Sequence, residues 1–424
     1  MYARSSSLAL ITGLVLTVAG PTGITSAGAQ VAGPAVRMSA TDPVSPSPLS
    51  PQAPGLVHKW VALNQVPSSY LTAAQAAAVA NNFDLAVIKD SQAGLSDQLK
   101  AANPDLTVLV YHNGAFAQKG QGTKFPAAWY AYDVNHNKIT QTVFGNYLMD
   151  VSNTDWIDYV VGACTSAKGR AHADGCYTDM MMTAPLFGDY ATGRPVNPAT
   201  GKIWTFPAFQ SAVERIAARI RDEVNGPSAA NGVACGKRWF VPGGGSSKTL
   251  TNNTDGSHAE IWLRDRNLAP DQFPSVTAWK QDVDMVAEAE AESRQIMVET
   301  KLWQRGPDAI PAATVDRWRA FTLATFLLAT QGRSWYLFSP NQTLSGMTAA
   351  DPWENVAVGA PLASYALSGS VYQRSFVDGF TAVNPSTADS TVTLPLGVWR
   401  SLTGQVQSGT IAMKAHTGMV WTRV

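Results

Sequence analysis

Eight short apolar runs alternate with helix-like stretches between about residues 55 and 352, and this alternation is what most constrains the fold. VHKWVALN ending at Asn64, DLAVIK ending at Lys89, LTVLVYHNG, the run closing at Asp179, RWFVPGGG, the short run closing at Glu260, QIMVETKLW and SWYLFSP all read as strands. The third is almost continuously apolar until Tyr111, His112 and Asn113, as expected of a parallel strand covered on both faces. The stretches between them carry helical spacing. Leu95 and Leu99 stand at i, i+4; Asn153 precedes a stripe of Trp156, Ile157, Val160, Val161 and Cys164; Phe209, Val213, Ile216, Ile220 and Val224 run up to Asn225-Gly226. These are N-cap, apolar-face and C-terminal stop signals. Further helices are expected after Thr72, from about Ser275 to Ser293 and from Thr314 to Gln331. Repeated strand-helix units of this number predict an α/β protein with a (β/α)8 TIM barrel, since an open doubly wound sheet seldom has so many equivalent repeats.

The ends of the chain read differently. Arg4, an apolar segment from Leu8 to Ala19 and Ala27-Gly28-Ala29 have the order of a secretory signal peptide over residues 1–29, so the protein is expected outside the cell. Residues 30–54, rich in Pro, Ser, Ala and Gly, predict a flexible linker. Beyond Pro352 the helical stripes stop. SFVDGFTAVNP, STVTLPLG and GMVWTRV alternate between turn residues and predict a small antiparallel β-sandwich over residues 353–424.

Lys plus Arg equals Asp plus Glu at 31 each, which gives no electrostatic case for nucleic acid or an anionic membrane. No segment has the length of a membrane span. Thirteen Trp and twelve Tyr supply flat rings of the kind that stack on sugar faces. A neutral polysaccharide or oligosaccharide partner and a monomeric state are expected. Of Cys164, Cys176 and Cys235, two can pair in an oxidising compartment, and the strand order favours Cys164 with Cys235 at the barrel's bottom. Neither cysteine spacing nor the six histidines form a metal set, so no metal and no cofactor are expected.

Barrel enzymes carry their chemistry at the C-terminal ends of the strands. Asp179 and Glu260 close the fourth and sixth strands, and two carboxyl groups across a barrel mouth are the minimum equipment for cleaving a glycosidic bond. In a retaining reaction Asp179 would attack the anomeric carbon. Glu260, with its pKa raised by apolar neighbours such as Trp262 or by the facing carboxylate, would donate the proton. Asn64, Lys89, Tyr111, His112, Asn113, Tyr177, Trp262, Glu299 and Trp303 lie at or near strand ends and are candidate substrate-binding residues, with Tyr111, Trp262 and Trp303 as stacking surfaces. Several have plain structural alternatives: a salt bridge from Glu299 to Lys301 or Arg305, a backbone-satisfied His112, a solvent-exposed Lys89. A barrel that binds carbohydrate without hydrolysing it is the competing functional class.

The strand-four Asp and strand-six Glu, LMDVSNTDW before the third helix, DPWEN with GAPL, and the terminal YQRSFVDGFTAVNP together resemble the bacterial hypothetical glycosyl hydrolase-like family 15. They are more distantly similar to glycoside hydrolase family 114, the endo-α-1,4-polygalactosaminidases. The resemblance implies a secreted glycoside hydrolase with Asp179 and Glu260 as its catalytic pair. Where that pattern has a second acidic or amide residue after the strand-four Asp, this chain has Met180.

Overall fold

The computed structural model describes residues 57–65, 71–264, 269–302 and 310–424 apart from 342, 344, 346, 347, 349 and 350, together with Leu49. Eight parallel strands follow one another in sequence order: β1 (Trp60–Ala62), β2 (Leu85–Lys89), β3 (Thr107–Asn113), β4 (Gly175–Asp179), β5 (Ser228–Asn231), β6 (Gly256–Ala259), β7 (Ile296–Lys301) and β8 (Trp335–Ser339). A bridge between Lys59 and Tyr336 returns the last strand to the first, with the Tyr336 N–H donating to the His58 carbonyl at 2.8 Å. The sheet is thus a (β/α)8 barrel. The intervening helices are α1 (Ala73–Asn82), α2 (Ala93–Ala102), α3 (Thr154–Ala171), α4 (Phe206–Glu223), the short α5 (Lys248–Asn252), α6 (Val276–Ala291) and α7 (Ala312–Ala329). Thr72 and Gln75 form a capping box on α1, and Asn153 caps α3 by accepting from the Trp156 N–H at 3.0 Å.

The fifth strand is not RWFVPGGG. It is the small-residue segment Ser228–Asn231, whereas Phe240–Val241 and Gly245–Ser246 pair as a two-residue antiparallel ribbon in the loop beyond it. Bulk was the misleading signal. The neighbours of β5 approach so closely that Ala229 and Ala230 fill the space on its two faces, and both are buried.

Strand alternation also decides the disulfide. Cys176 lies on the outward face of β4, toward α3, and bonds to Cys164 in that helix's apolar stripe; Cys235, expected before the fifth strand, follows it and is unbonded. Leu49, assigned by its composition to the linker, is instead 4% exposed and packs with Trp60 and Met297 in the barrel interior. One leucine among prolines and serines has no period to betray it.

The C-terminal strands are β9 (Ala366–Ser368), β10 (Val371–Ser375), β11 (Gly379–Asn384), β12 (Ser390–Thr393), β13 (Trp399–Ser401), β14 (Val406–Gln407), β15 (Thr410–Met413) and β16 (Thr417–Arg423). An antiparallel sheet in the order β9-β10-β11-β16-β13-β14 and the ribbon β12-β15 share a core of Phe380, Val392, Leu394, Trp399, Met413 and Trp421. The large sheet also lies on α7. A Cβ on Gly418 would stand 2.6 Å from the Ala320 carbonyl, so only glycine lets β16 come this near the helix. Arg374, 2% exposed, donates to the carbonyls of Leu327, Leu328 and Thr330 where α7 ends.

Candidate active site

Side chains alternate between the two faces of each strand, so one residue in two points into the barrel. The lower inward positions are apolar: Leu85, Val87, Leu109, Ala229, Met297, Trp335 and Leu337. The composition changes toward the C-terminal ends, where Tyr111, Tyr177, Asp179, Asn231, His258, Glu299, Lys301 and Ser339 share that inward parity, with Glu260 next in line beyond β6.

These residues form one polar chain. The Tyr111 hydroxyl donates to Asp179 Oδ2 at 2.8 Å, and the Met180 N–H donates to Asp179 Oδ1 at 2.7 Å. The amide nitrogen of Asn231 donates to Asp179 Oδ1 at 2.8 Å and to Glu260 Oε2 at 2.7 Å. Two oxygens held by one nitrogen lie no more than about 5.5 Å apart, so the two carboxyl groups are neighbours across the mouth. Lys301 Nζ stands 2.5 Å from Glu260 Oε1 and 3.3 Å from Glu299 Oε2. Glu299 also accepts from Ser339 Oγ at 3.0 Å and Gln65 Nε2 at 3.2 Å, and lies 3.2 Å from His258 Nε2. His258 Nδ1 meets the Tyr177 hydroxyl, and its ring packs edge-on to Trp60.

Local backbone fixes this geometry. Met180 has φ of +67°, a strained conformation for a side-chain-bearing residue, and it turns its N–H back onto Asp179. Gly232 follows Asn231 at a point where a Cβ would overlap the Met181 carbonyl, and the Met181 N–H donates to the Asn231 carbonyl at 2.8 Å. The ends of β4 and β5 are thereby locked together.

Burial and the charge of Glu260 push the Asp179 carboxyl above its ordinary range, against the bonds from Tyr111, Asn231 and Met180. Glu260 moves the other way. Burial alone would raise it, but the Lys301 ammonium, His258 and the bonds from Lys301 and Asn231 hold it well below the usual carboxylate range. The expectation of a raised Glu260 is overturned because a cation, rather than apolar surface, faces it. At neutral pH Asp179 is therefore the carboxyl that takes up a proton more readily, and Glu260 is ionised. Burial and the charge of Asp179 raise Tyr111 and Tyr177 well above the ordinary phenol value, so both remain hydroxyl donors.

Among the sequence candidates, Asp179, Glu260, Tyr111, Tyr177 and Glu299 come together. Glu299 is completely buried beneath the mouth, whereas the Glu260 side chain keeps a quarter of its surface exposed. Asn64 lies in the turn after β1, with its Oδ1 buried and unpartnered, and Lys89 ends β2 opposite Tyr111 in the register. Two expectations fail on orientation, those for His112 and Trp262. His112 alternates with Tyr111 to the outward face of β3, where burial depresses its pKa to about 4. Asn113 keeps the inward parity opposite Asp179: its side chain bonds Tyr111, while its Oδ1 accepts from the N–H groups of Ala115 and Phe116 and shapes the chain reversal. Trp262 is fully buried against the helices, donating to the Asp282 carbonyl and packing edge-on to Phe326, so it is core and not a stacking surface. Trp303 lies outside the described residues.

Asn231, Lys301 and His258 are the site residues that the strand pattern left unassigned. Placing β5 correctly would have found Asn231, and the period of two from Met297 through Glu299 to Lys301 would have put the lysine on the inward face.

The fold has counterparts among solved structures. A GH31 dextranase mutant from Flavobacterium johnsoniae complexed with isomaltotriose is 11% identical with a TM-score of 0.50; the match covers 88% of this chain and 52% of that one, so this chain spans about half the dextranase's length. The glycoside hydrolase domain of PelA from Pseudomonas aeruginosa is 12% identical with a TM-score of 0.43, over 67% of this chain and 95% of that one. No curated protein matches. Residues 100–380, which include both carboxylates, match the sequence profile of hypothetical glycosyl hydrolase family 15, and the chain belongs to that family.

Proposed function

We propose that this protein is a retaining glycoside hydrolase that acts on a polysaccharide outside the cell, with Asp179 and Glu260 as its catalytic carboxyl groups. The observation that carries the reading is the shared amide of Asn231, which draws one oxygen of each carboxyl to within about 5.5 Å of the other and so favours the short separation of a retaining pair. The Cys164–Cys176 disulfide supports an oxidising compartment.

The electrostatics of the site support one division of roles. Asp179 delivers its proton to the leaving glycosidic oxygen while Glu260 attacks the anomeric carbon, so the carbon–oxygen bond to the leaving group breaks as an ester to Glu260 forms. Asp179, now ionised, takes a proton from water as that water attacks the same carbon and releases Glu260. The three donors converging on Asp179 favour the opposite division, with Asp179 as nucleophile, because hydrogen bonds to a carboxylate stabilise its charged form.

Reducing-end release from amino-sugar, galactan and arabinan polymers tests the activity. Asp179→Asn and Glu260→Gln should each lower it by several orders of magnitude without loss of the cooperative melt. Azide tests the roles with an aryl glycoside of the responsive sugar. Rescue of Glu260→Ala to a glycosyl azide of inverted configuration marks Glu260 as nucleophile, and the same product from Asp179→Ala assigns that role to Asp179. Full turnover by either amide variant refutes the pair.

A further inference from the structure

Lys301 is a buried cation to which the proposed chemical steps give no task. It is 1% exposed, ends β7 on the inward face and stands between two carboxylates, Glu260 at 2.5 Å and Glu299 at 3.3 Å. The two neighbours differ in kind. Glu260 reaches the open mouth, whereas Glu299 is sealed beneath it by Ser339, Gln65 and His258. Glu299 has no surface on which to meet a polymer, but it occupies the place from which a lysine ammonium is steadied against Glu260.

Asn231 treats the catalytic pair almost alike, giving one amide hydrogen to each carboxyl. It therefore does little to decide which carboxyl carries a proton. Among the described residues, the charged and titratable groups around the pair include Lys89 at the end of β2 beside Tyr111, Tyr111 on β3, Tyr177 on β4, Cys235 beyond β5, His258 on β6 beside Glu299, and Glu299 and Lys301 on β7. The tyrosines are neutral donors. Among the described residues, Lys301 brings a positive charge to one member of the pair at contact distance.

We infer that Lys301 is the positioning residue of the site: anchored by Glu299, its ammonium fixes the Glu260 carboxyl in place and keeps it ionised, so that the proton of the pair resides on Asp179. The inference rests on the assignment of Asp179 and Glu260 as the reacting groups. A lysine so placed touches the nucleophile's oxygen and acts on the sugar only through it. Its removal makes the two carboxyls compete for one proton, and the fraction of molecules with Glu260 ionised then depends on pH over a range in which the native protein does not change.

The test uses the full chain with Lys301→Met, which keeps the length of the side chain and removes its charge, and Lys301→Arg, which restores a cation. Because the methionine variant leaves Glu299 buried without its ammonium, the double variant Lys301→Met/Glu299→Gln removes both charges and serves if the single variant does not melt cooperatively. Protein labelled with 13C at the glutamate carboxyl carbons reports protonation without turnover, and the Glu260 signal is identified by its loss in Glu260→Gln. In the wild type that signal should not titrate at any pH at which the protein stays folded. In Lys301→Met, or in the double variant, it should titrate inside the folded range. Lys301→Arg should return it toward the wild-type behaviour, and the acidic limb of kcat should move with the signal while KM changes little. A Glu260 signal that is unmoved in a folded Lys301→Met or double variant overturns the inference. A moved signal in a protein that hydrolyses none of the polymers would refute the proposed function and leave the task of Lys301 standing.

Discussion

Replacing Trp262 by alanine separates a packed core from a sugar platform in one measurement. The indole is fully buried, its Nε1 donates to the Asp282 carbonyl at 3.2 Å, and its ring meets Phe326 of α7 edge-on at 6.4 Å. Its backbone is pinned as well, by the bond from its N–H to the Glu299 carbonyl at 3.1 Å and from Thr300 Oγ1 to its own carbonyl at 2.9 Å. Truncating a buried tryptophan typically costs about 3–5 kcal/mol, with the higher figures where the surroundings cannot collapse. Here strands and two helices hold the walls apart, and the Asp282 carbonyl loses the indole as a second donor, so about 4 kcal/mol is expected. Urea unfolding monitored by circular dichroism should show the midpoint falling with little change in slope, and Trp262→Phe should recover more than half of the loss. Polymer binding by the folded fraction should stay near the wild-type value, because the ring faces the helices. An unchanged midpoint together with weakened polymer binding would place the ring at the mouth and refute this account.

Other parts of the structure make equally definite demands. Arg374→Met should destabilise the protein by at least about 3 kcal/mol in the same unfolding assay, since it strips the donor from several buried carbonyls at the end of α7 at about 1–3 kcal/mol each. Glu214 on α4 has its pKa pushed up to about 7 by burial, despite the bond from Gln210. A folded pKa above the unfolded one means that this group favours the native state at low pH, and that its contribution is lost as pH rises from about 4 through 7. Glu214→Gln keeps the acceptor for Gln210 and cannot ionise, so it should raise the urea midpoint relative to wild type at pH 8 and leave it nearly unchanged at pH 4.

Much of the barrel was legible because its signals are periodic. Phe209, Val213, Ile216 and Ile220 marked α4 at helical spacing, and all four are buried. Asp179 and Glu260 were legible because each follows a run whose parity points it inward, and the Asn231 bridge brings them together. The failures have physical causes. SAAN has no bulk to announce a strand, since a position hemmed in by its neighbours needs only small side chains, and the apolar RWFV beyond it drew the assignment. Trp262 and His112 were placed by nearness to a strand end, but direction decides exposure. One step along a strand turns a side chain from the mouth to the helices, and the chain bends at Leu263, whose φ is +62°. Lys301 was visible as a partner of Glu299, but its contact with Glu260 joins loops and strands that no local spacing relates.

The polar layer beneath the mouth is better explained by function than by stability. Buried ion pairs commonly gain no more than well-packed apolar residues of the same volume, because each charge loses its hydration. Glu299, Lys301 and His258 are nevertheless stacked in the barrel interior directly above Trp60 and Met297, where larger apolar side chains could continue the core. A carboxyl pair at the mouth cannot rest on that apolar floor without losing its orientation, since nothing there would hold a carboxylate at one angle. Hydrogen-bonded groups one layer down supply the anchor, and the strained Met180 supplies another from the side. The positions where this chain departs from the local rules of folding, a left-handed methionine and a sealed lysine between two glutamates, are therefore the positions that fix Asp179 and Glu260.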